Sequence, residues 1–123
     1  MSDNINYVHV GEIKTFQMEL EEKYPIIAEE FKNIQKEQYD LFAQKMLSYG
    51  KGNISLGSNL ETTDEKIFSL TGLVIRLTDK INRLKNLVIT GKNYIQNETI
   101  EDTFIDVATY GIIGMIVGRD KWK

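Results

Sequence analysis

The sequence predicts an all-α fold, a compact bundle of about four helices that is completed by oligomerisation. Two observations lead to this prediction. Apolar residues recur at steps of three and four over most of the chain, as they do on the buried side of amphipathic helices. Pro25, Gly50 and Gly91 divide this pattern into segments of helical length, because proline and glycine commonly mark helix starts and ends. A chain of 123 residues is long enough for one core, so we expect a single domain.

Two helices are predicted in the first half of the chain. The first runs from Glu12 to about Lys23, and its apolar side holds Ile13, Phe16 and Leu20. The second begins at Pro25, because a first helical turn does not need the N–H group that proline lacks, and it ends at Gly50. Its apolar positions are Ile27, Phe31, Ile34, Leu41, Phe42 and Met46. We expect residues 1–11 to be a flexible or partner-bound arm and residues 12–123 to form the domain.

A loop and a third helix follow. The glycine-rich stretch from Gly50 to Thr63 has no helical period, which predicts a loop. Thr63 or Asp64 can cap a helix that runs to about Val88 and is closed by Gly91. Its mainly apolar side consists of Ile67, Leu70, Thr71, Val74, Leu77, Ile81, Leu84 and Val88, and its charged side of Arg76, Asp79, Lys80 and Arg83. We expect the charged side on the surface.

The fourth predicted helix has acids in its first turns, where they suit the positive end of the helix dipole: Glu98, Glu101 and Asp102. The residues that can face the core are Ile100, Phe104, Val107, Ala108, Ile112 and Met115. Gly111, Gly114 and Gly118 would allow another helix to approach closely. Near the end of the chain, Trp122 is expected to be a packing or dimer-contact residue.

Composition excludes several classes of protein. Without cysteine there is no disulfide framework and no thiolate-bound zinc. The longest apolar run, Ile112 to Val117, is far below the roughly 20 residues of a membrane span, and the first residues lack a signal-peptide pattern. A net charge of −3 argues against broad nucleic-acid binding, which requires many neutralised phosphates. We therefore expect a cytoplasmic protein with no membrane partner, in which any positive site is local.

Three blocks of the sequence resemble a known family. The blocks are FAQKMLSYG at Phe42 to Gly50, RLTDKINRLKNL at Arg76 to Leu87 and ETIEDTFIDVATYGI at Glu98 to Ile112. Together they resemble the nucleotide modification associated domain, type one. That small family is common in bacteriophages and is similar to the all-α MazG-like nucleotide pyrophosphohydrolases. The resemblance implies a helical fold, a nucleotide-related role and a phage origin, with the host cytoplasm as the location.

The resemblance also singles out residues by motif position. They are Lys45, Tyr49, Gly50, Arg76, Asp79, Lys80, Arg83, Glu98, Glu101, Asp102 and Asp106. Two positions depart from the family pattern: Ser48 stands where Asn or Asp commonly precedes the Tyr-Gly pair, and Thr109 where Asn is frequent. These departures weaken a catalytic inference.

Arg76, Lys80 and Arg83 form a positive stripe at steps of four and three. Guanidinium groups bind phosphate in a bidentate manner, so phosphate is the expected ligand group. The alternative is a solvated helix side whose cations neutralise nearby acids. The segment Ser48 to Asn53 adds Tyr49, Gly50 and Lys51, which could wrap a phosphate and stack on a base, or could simply end a helix.

Asp102 and Asp106 are four residues apart, so both carboxylates project from one side of a helix. With Asp79 and Glu98 they could hold Mg²⁺, which prefers oxygen ligands. Alternatively, Asp102 serves the helix start while Asp79 and Asp106 pair with nearby cations. A second set of acids, Glu19, Glu22, Glu37 and Asp40, matches the MazG-like metal spacing, but acids are dense in that region and the match is weak.

These patterns leave three functions open. The first is a nucleotide-binding protein with Mg²⁺-dependent hydrolysis of a phosphoanhydride, in which cations stabilise developing phosphate charge. The second is a non-catalytic sponge that sequesters a nucleotide or a cyclic oligonucleotide signal of host defence, an anti-defence role. The third is a structural domain. In each case we expect a homo-oligomer, a dimer or higher, because short amphipathic helices leave apolar sides uncovered.

Overall fold

The computed structural model describes residues 5–9 and 12–123, with side chains from residue 14 onward. Its elements are β1 (Ile5–His9), β2 (Glu12–Thr15), α1 (Phe16–Lys23), α2 (Pro25–Tyr49), α3 (Gly52–Ser55), α4 (Thr63–Thr90) and α5 (Ile100–Gly118). The predicted all-α class is confirmed, since helices make up most of the described chain and the two strands form one hairpin. No helix in the described ranges combines the length and apolar character needed to span a bilayer.

The N-terminal hairpin corrects the prediction for the first helix. Strand β1 pairs antiparallel with β2, with Ile5 opposite Thr15 and a register shift after Tyr7. The helix therefore begins at Phe16 and not at Glu12, and Thr15 caps it by accepting a hydrogen bond from the Met18 N–H at 3.0 Å. Residues 1–4 and 10–11 of the predicted arm lie outside the described residues, as does the side chain of Ile13.

The chain divides into two compact units, residues 1–40 and 41–123. The first unit contains the hairpin, α1 and the first part of α2. Within residues 14–40, Ala28 is the buried apolar side chain. The residues of this unit that the pattern assigned to a core but that are exposed are Phe16, Leu20, Ile27, Phe31 and Ile34. The helix limits of α2 at Pro25 and Tyr49 agree with the sequence prediction.

The core of the second unit lies between α3, α4, α5 and the C-terminus. It consists of Ile54, Leu73, Ile113, Val117 and Trp122. Trp122 donates a hydrogen bond from Nε1 to the Lys51 carbonyl at 3.0 Å, and its ring meets that of Phe42 edge-on with centroids 6.3 Å apart. The expected packing role of Trp122 is therefore confirmed.

Local signals set the ends of α4 and α5. Thr62 caps α4 in a capping box with Glu65, so the helix starts slightly earlier than a cap at Thr63 or Asp64 would allow. Gly91, at φ +68°, closes α4 as predicted, because this left-handed conformation suits glycine. Thr99 and Asp102 form the capping box of α5. The predicted loop at Gly50 to Thr63 contains the short helix α3, so that part of the prediction is wrong.

The buried sides of α4 and α5 differ from the predicted ones. On α4, Ser69, Leu73 and Leu84 are buried, and on α5 Thr103, Ile113 and Val117 are. The residues assigned to the core that are instead exposed are Ile67, Thr71, Val74, Ile81 and Val88 on α4, and Ile100, Phe104, Ala108, Ile112 and Met115 on α5. A methyl group on Gly114 would lie 4.0 Å from Leu73 Cδ1, and one on Gly111 or Gly118 would meet nothing within 4 Å. These glycines therefore do not serve close helix packing within the protomer.

Candidate functional site

A cavity of about 480 Å³ opens in the second unit, between the end of α2, the start of α3 and the paired helices α4 and α5. Its volume lies in the range of small-molecule sites, roughly 300–1,000 Å³. Three kinds of side chain line it: the cations Lys45, Arg76 and Lys80, the acids Glu98 and Asp106, and the aromatic rings of Phe42, Tyr49, Tyr110 and Trp122. Leu41, Met46, Gly50, Asn53, Ile54, Ile105, Thr109 and Ile113 complete the lining.

Lys80 joins the two acids of the cavity. Its Nζ lies 2.9 Å from Oε1 of Glu98 and 2.9 Å from Oδ2 of Asp106. Burial lowers the pKa of the Lys80 ammonium, but hydrogen bonds to Asp106 and Glu98 and the charges of both carboxylates outweigh burial and raise the pKa above its ordinary value. The side chain is only 22% exposed, so the expected surface position of this charged residue is wrong.

Asp106 ties α5 to two other helices. Besides Lys80 on α4, it contacts Lys45 on α2, whose Nζ lies 3.2 Å from its Oδ1. The Asp106 side chain is 15% exposed and Lys45 is half exposed. Because Asp106 is partly buried and Lys80 is little exposed, this pair is less screened by solvent than a surface pair, and it holds the Lys80 ammonium beside the cavity.

Arg83 is engaged with the connection between α4 and α5 and does not line the cavity. Its Nη2 donates to the Glu98 carbonyl at 2.7 Å and to Oδ1 of Asn93 at 3.1 Å. Its Nε lies 3.0 Å from Oε2 of Glu98 and 3.2 Å from Oγ1 of Thr103. The side chain is 15% exposed, in contrast with the predicted surface position. These contacts give Arg83 the geometry of a residue that positions Glu98.

Arg76 differs from the other cations of the site. Its Nη2 donates to the carbonyl of Asn53 at 2.9 Å and contacts Oδ1 of Asn53 at 3.4 Å. Within the part of the chain that the structure describes, no carboxylate lies within salt-bridge distance of Arg76. Its charge therefore faces the cavity without an acid to neutralise it.

The acids predicted to share a metal do not all come together. Asp79 is exposed and lies outside the cavity lining. Asp102 accepts from the Thr99 N–H at 2.9 Å, and its pKa is lowered by hydrogen bonds from the Thr99 backbone and side chain. Among the described residues, no three acidic or histidine side chains lie close enough to hold one metal ion, the Glu19, Glu22, Glu37 and Asp40 set included. Mg²⁺ binding stays a prediction, now for Glu98 and Asp106.

The residues of the predicted ligand loop also fall into two groups, inside and outside the cavity lining. Tyr49 and Gly50 line the cavity, whereas Lys51 does not. Lys51 instead precedes α3 and offers its carbonyl to Trp122. Sequence reasoning missed Tyr110 as a cavity residue, although it stands four positions after Asp106 and so on the same helix side. It also gave no role to Asn53 beyond the loop, since the contact with Arg76 spans 23 residues.

Comparison with known families bears directly on this site. Residues 69–117 match the family model called nucleotide modification associated domain 1. The resemblance inferred from the motifs is thereby confirmed over these residues, which include Arg76, Lys80, Arg83, Glu98 and Asp106. The family description associates this segment with nucleotide modification. Comparisons with curated proteins and with solved structures give no match. The predicted relationship to MazG-like enzymes stays a prediction.

Proposed function

We propose that the cavity binds a nucleotide, with phosphate held by Arg76, Lys45 and Lys80 and the base against Tyr49 or Tyr110. The observation that carries this proposal is the convergence of three cations and several aromatic rings on one cavity, partly within the segment that matches the nucleotide-associated family. Cations recognise phosphate oxygens, and aromatic rings stack on bases of any kind.

Local charge supports an anionic ligand. Three cations and two carboxylates line the cavity, which leaves an excess of one positive charge (+3 − 2 = +1) in a chain whose formal net charge is −3. Arg83 adds a further positive charge beside Glu98. Low-dielectric walls strengthen the field of such a cluster, and the acid-free guanidinium of Arg76 is the group best placed to meet a phosphate.

Retention of the nucleotide fits these contacts better than turnover. Both cavity carboxylates are bound to cations, Glu98 to Lys80 and Arg83, and Asp106 to Lys80 and Lys45. A carboxylate whose oxygens already contact two cations must give up those contacts before it can hold a metal ion or activate a water molecule. The protein would then act as a sponge that sequesters a nucleotide or a cyclic oligonucleotide.

Mg²⁺-dependent hydrolysis is the second candidate, and one observation favours it. Glu98 and Asp106 lie within 2.9 Å of the same Lys80 nitrogen, so they face a common point. Mg²⁺ is often held by one or two carboxylates together with substrate phosphates. If phosphate drew Lys80 away, these two acids would fit such a site, and water would cleave a phosphoanhydride P–O bond to release phosphate or pyrophosphate.

Calorimetry on the full chain tests nucleotide binding, with AMP, ATP and cyclic di-AMP as probes. The Arg76→Gln variant should bind the preferred probe about 10- to 100-fold more weakly, because a charge-assisted hydrogen bond is lost. Arg119→Gln is the matched control, since Arg119 is exposed and outside the cavity but its loss changes the net charge equally. Equal affinity in both variants, or no binding of any probe, would contradict the proposal.

Mass spectrometry of the bound probe separates the two candidates. If the protein only sequesters nucleotides, intact ATP or cyclic di-AMP should be recovered from the folded protein after incubation with Mg²⁺. Formation of ADP or AMP from ATP in amounts above the protein concentration, abolished by EDTA and by Glu98→Gln, would instead establish hydrolysis. Analysis of any nucleotide that co-purifies with the chain identifies the natural ligand class.

A further inference from the structure

The positive stripe of α4 is interrupted in the folded protein by Glu98. One oxygen of this carboxylate, Oε1, lies 2.9 Å from Lys80 Nζ, and the other, Oε2, lies 3.0 Å from Arg83 Nε. Its side chain is 27% exposed, so water screens the negative charge only in part. The stripe therefore does not offer an extended anion three adjacent cations: Arg76 and Lys80 line the cavity, whereas Arg83 is bound to Glu98 and does not.

Arg76 and Lys80 together provide N–H donors for one phosphate group. They stand four residues apart on α4, with Cβ atoms about 5–6 Å apart, so both head groups can reach the same phosphate. Lys80 has three N–H donors, and within the described residues two of them go to Glu98 and Asp106. Arg76 has five and contacts Asn53 through Nη2. Donors of both residues are thus left for phosphate oxygens.

The two other cations of the site are each held on a carboxylate. Lys45 Nζ lies 3.2 Å from Oδ1 of Asp106, and Arg83 contacts Glu98. A second phosphate that approached either cation would also approach its carboxylate, and like charges repel more strongly where burial reduces screening. Both acids are partly buried, since the Asp106 side chain is 15% exposed. A chain of phosphates therefore meets repulsion beyond its first member.

The charge of the site leads to the same result. The site has four cations and two carboxylates, an excess of +4 − 2 = +2, from Lys45, Arg76, Lys80, Arg83, Glu98 and Asp106. Asp102, outside the lining, interacts with the charge of Lys45, which places the excess between one and two. A terminal phosphate carries about −1.5 to −2 at pH 7, and each further phosphate adds about one negative charge. The site can therefore neutralise one phosphate group but not two or three.

We propose that the cavity is selective for nucleoside monophosphates and that Glu98 is the specificity-determining residue that disfavours di- and triphosphates. This proposal rests on the proposed function, because it takes the cavity to be the nucleotide site. Arg76 and Lys80 bind the single phosphate. Glu98 repels the second phosphate of a longer ligand when no divalent cation neutralises it.

Calorimetry of the full chain in EDTA, with AMP, ADP and ATP as probes, tests the selectivity. The native chain should bind AMP about 10-fold more tightly than ADP or ATP, because the added charge meets a partly buried carboxylate. Glu98→Gln removes that charge at equal side-chain length and should largely abolish the preference. Glu101→Gln is the matched control, since it removes the same charge from an exposed position of α5 outside the cavity lining and should keep the preference.

The outcomes separate this proposal from the proposed function. If the native chain binds ATP as tightly as AMP or more tightly, the selectivity is refuted while nucleotide binding stands. A preference that survives in Glu98→Gln, or is lost equally in Glu101→Gln, would refute the role of Glu98; circular dichroism confirms that both variants are folded. Binding of none of the three probes would contradict the proposed function itself. The native series tests the selectivity without any variant.

Discussion

Lys80 and Asp106 form a direct bridge between α4 and α5, with Nζ 2.9 Å from Oδ2. The same ammonium binds Glu98, which precedes α5, and the same carboxylate binds Lys45 on α2. A single lysine therefore organises the charged lining of the cavity. In the proposed function it has two roles, to hold the acids in place and to meet phosphate.

Replacement of Lys80 by methionine should destabilise the fold. Methionine keeps the aliphatic length but leaves Glu98 and Asp106, both partly buried, without their shared partner. The free energy of unfolding at neutral pH should fall by about 1–3 kcal/mol, the cost of leaving a charged group without its hydrogen bond. Urea denaturation measures it. Lys85→Met is the control, because Lys85 is exposed on the same helix. Equal losses in the two variants would contradict a structural role for the bridge.

The contribution of Lys80 to the free energy of unfolding should also vanish at alkaline pH. Its pKa is raised in the folded state above the ordinary value of 10.5, so its contribution to stability is complete below 10.5 and is lost as pH rises through the folded-state pKa. The stability difference between the native chain and Lys80→Met should therefore be constant from pH 7 to 9 and shrink only above 10.5. A difference that already shrinks near pH 8 would contradict the raised pKa.

Arg83 should affect stability more than Arg76 does. Arg83 makes four polar contacts with Glu98, Asn93 and Thr103, whereas the polar contacts of Arg76 among the described residues are with Asn53 alone. Arg83→Gln should cost about 1.5–3 kcal/mol and speed amide exchange in residues 92–99, because hydrogen bonds to charged groups are lost. Arg76→Gln should leave the free energy of unfolding and the amide exchange of residues 92–99 nearly unchanged. The reverse order of stabilities would assign the positioning role to Arg76.

Several features of the fold could be predicted because their causes are local. Pro25, Gly50 and Gly91 mark helix limits through their own backbone preferences. The hairpin was missed, although Ile5, Tyr7 and Val8 are strand formers and Gly11 follows them. The helical period from Glu12 onward suggested a helix, and pairing with β1 overrides that local preference.

The buried side of α4 could not be predicted from its own sequence. Apolar periodicity selects Ile67, Val74 and Ile81, yet these are exposed while Lys80 and Arg83 turn inward. Burial of the two cations depends on Glu98 and Asp106, whose pairing is set by the tertiary fold and not by spacing along one helix. The periodicity itself does not tell an intramolecular core from a surface that pairs with another chain.

Low pH should reduce the stability that Asp102 contributes at the start of α5. Hydrogen bonds from Thr99 lower its pKa below the ordinary 3.8, so its contribution to stability is complete above 3.8 and is lost as pH falls through the lower folded-state pKa. Asp102→Asn should be less stable than the native chain at pH 6, and the difference should disappear toward pH 2. Thermal unfolding across this range measures it. Glu101→Gln, in the same helical turn, provides the control for helix-dipole effects.

Gly114→Ala should stabilise the protein. Gly114 lies inside α5, and the added methyl group would stand 4.0 Å from Leu73 Cδ1, an ordinary van der Waals distance. Because alanine loses less backbone freedom on folding than glycine does, the free energy of unfolding should rise by about 0.5–1 kcal/mol. Gly91→Ala is the opposite control: φ there is +68°, so alanine should be strained and stability should fall by about 1 kcal/mol. Chemical denaturation of both variants gives the comparison. A loss of stability in Gly114→Ala would mean that α4 and α5 pack more closely at Leu73 than this distance, and that this glycine is required for their contact.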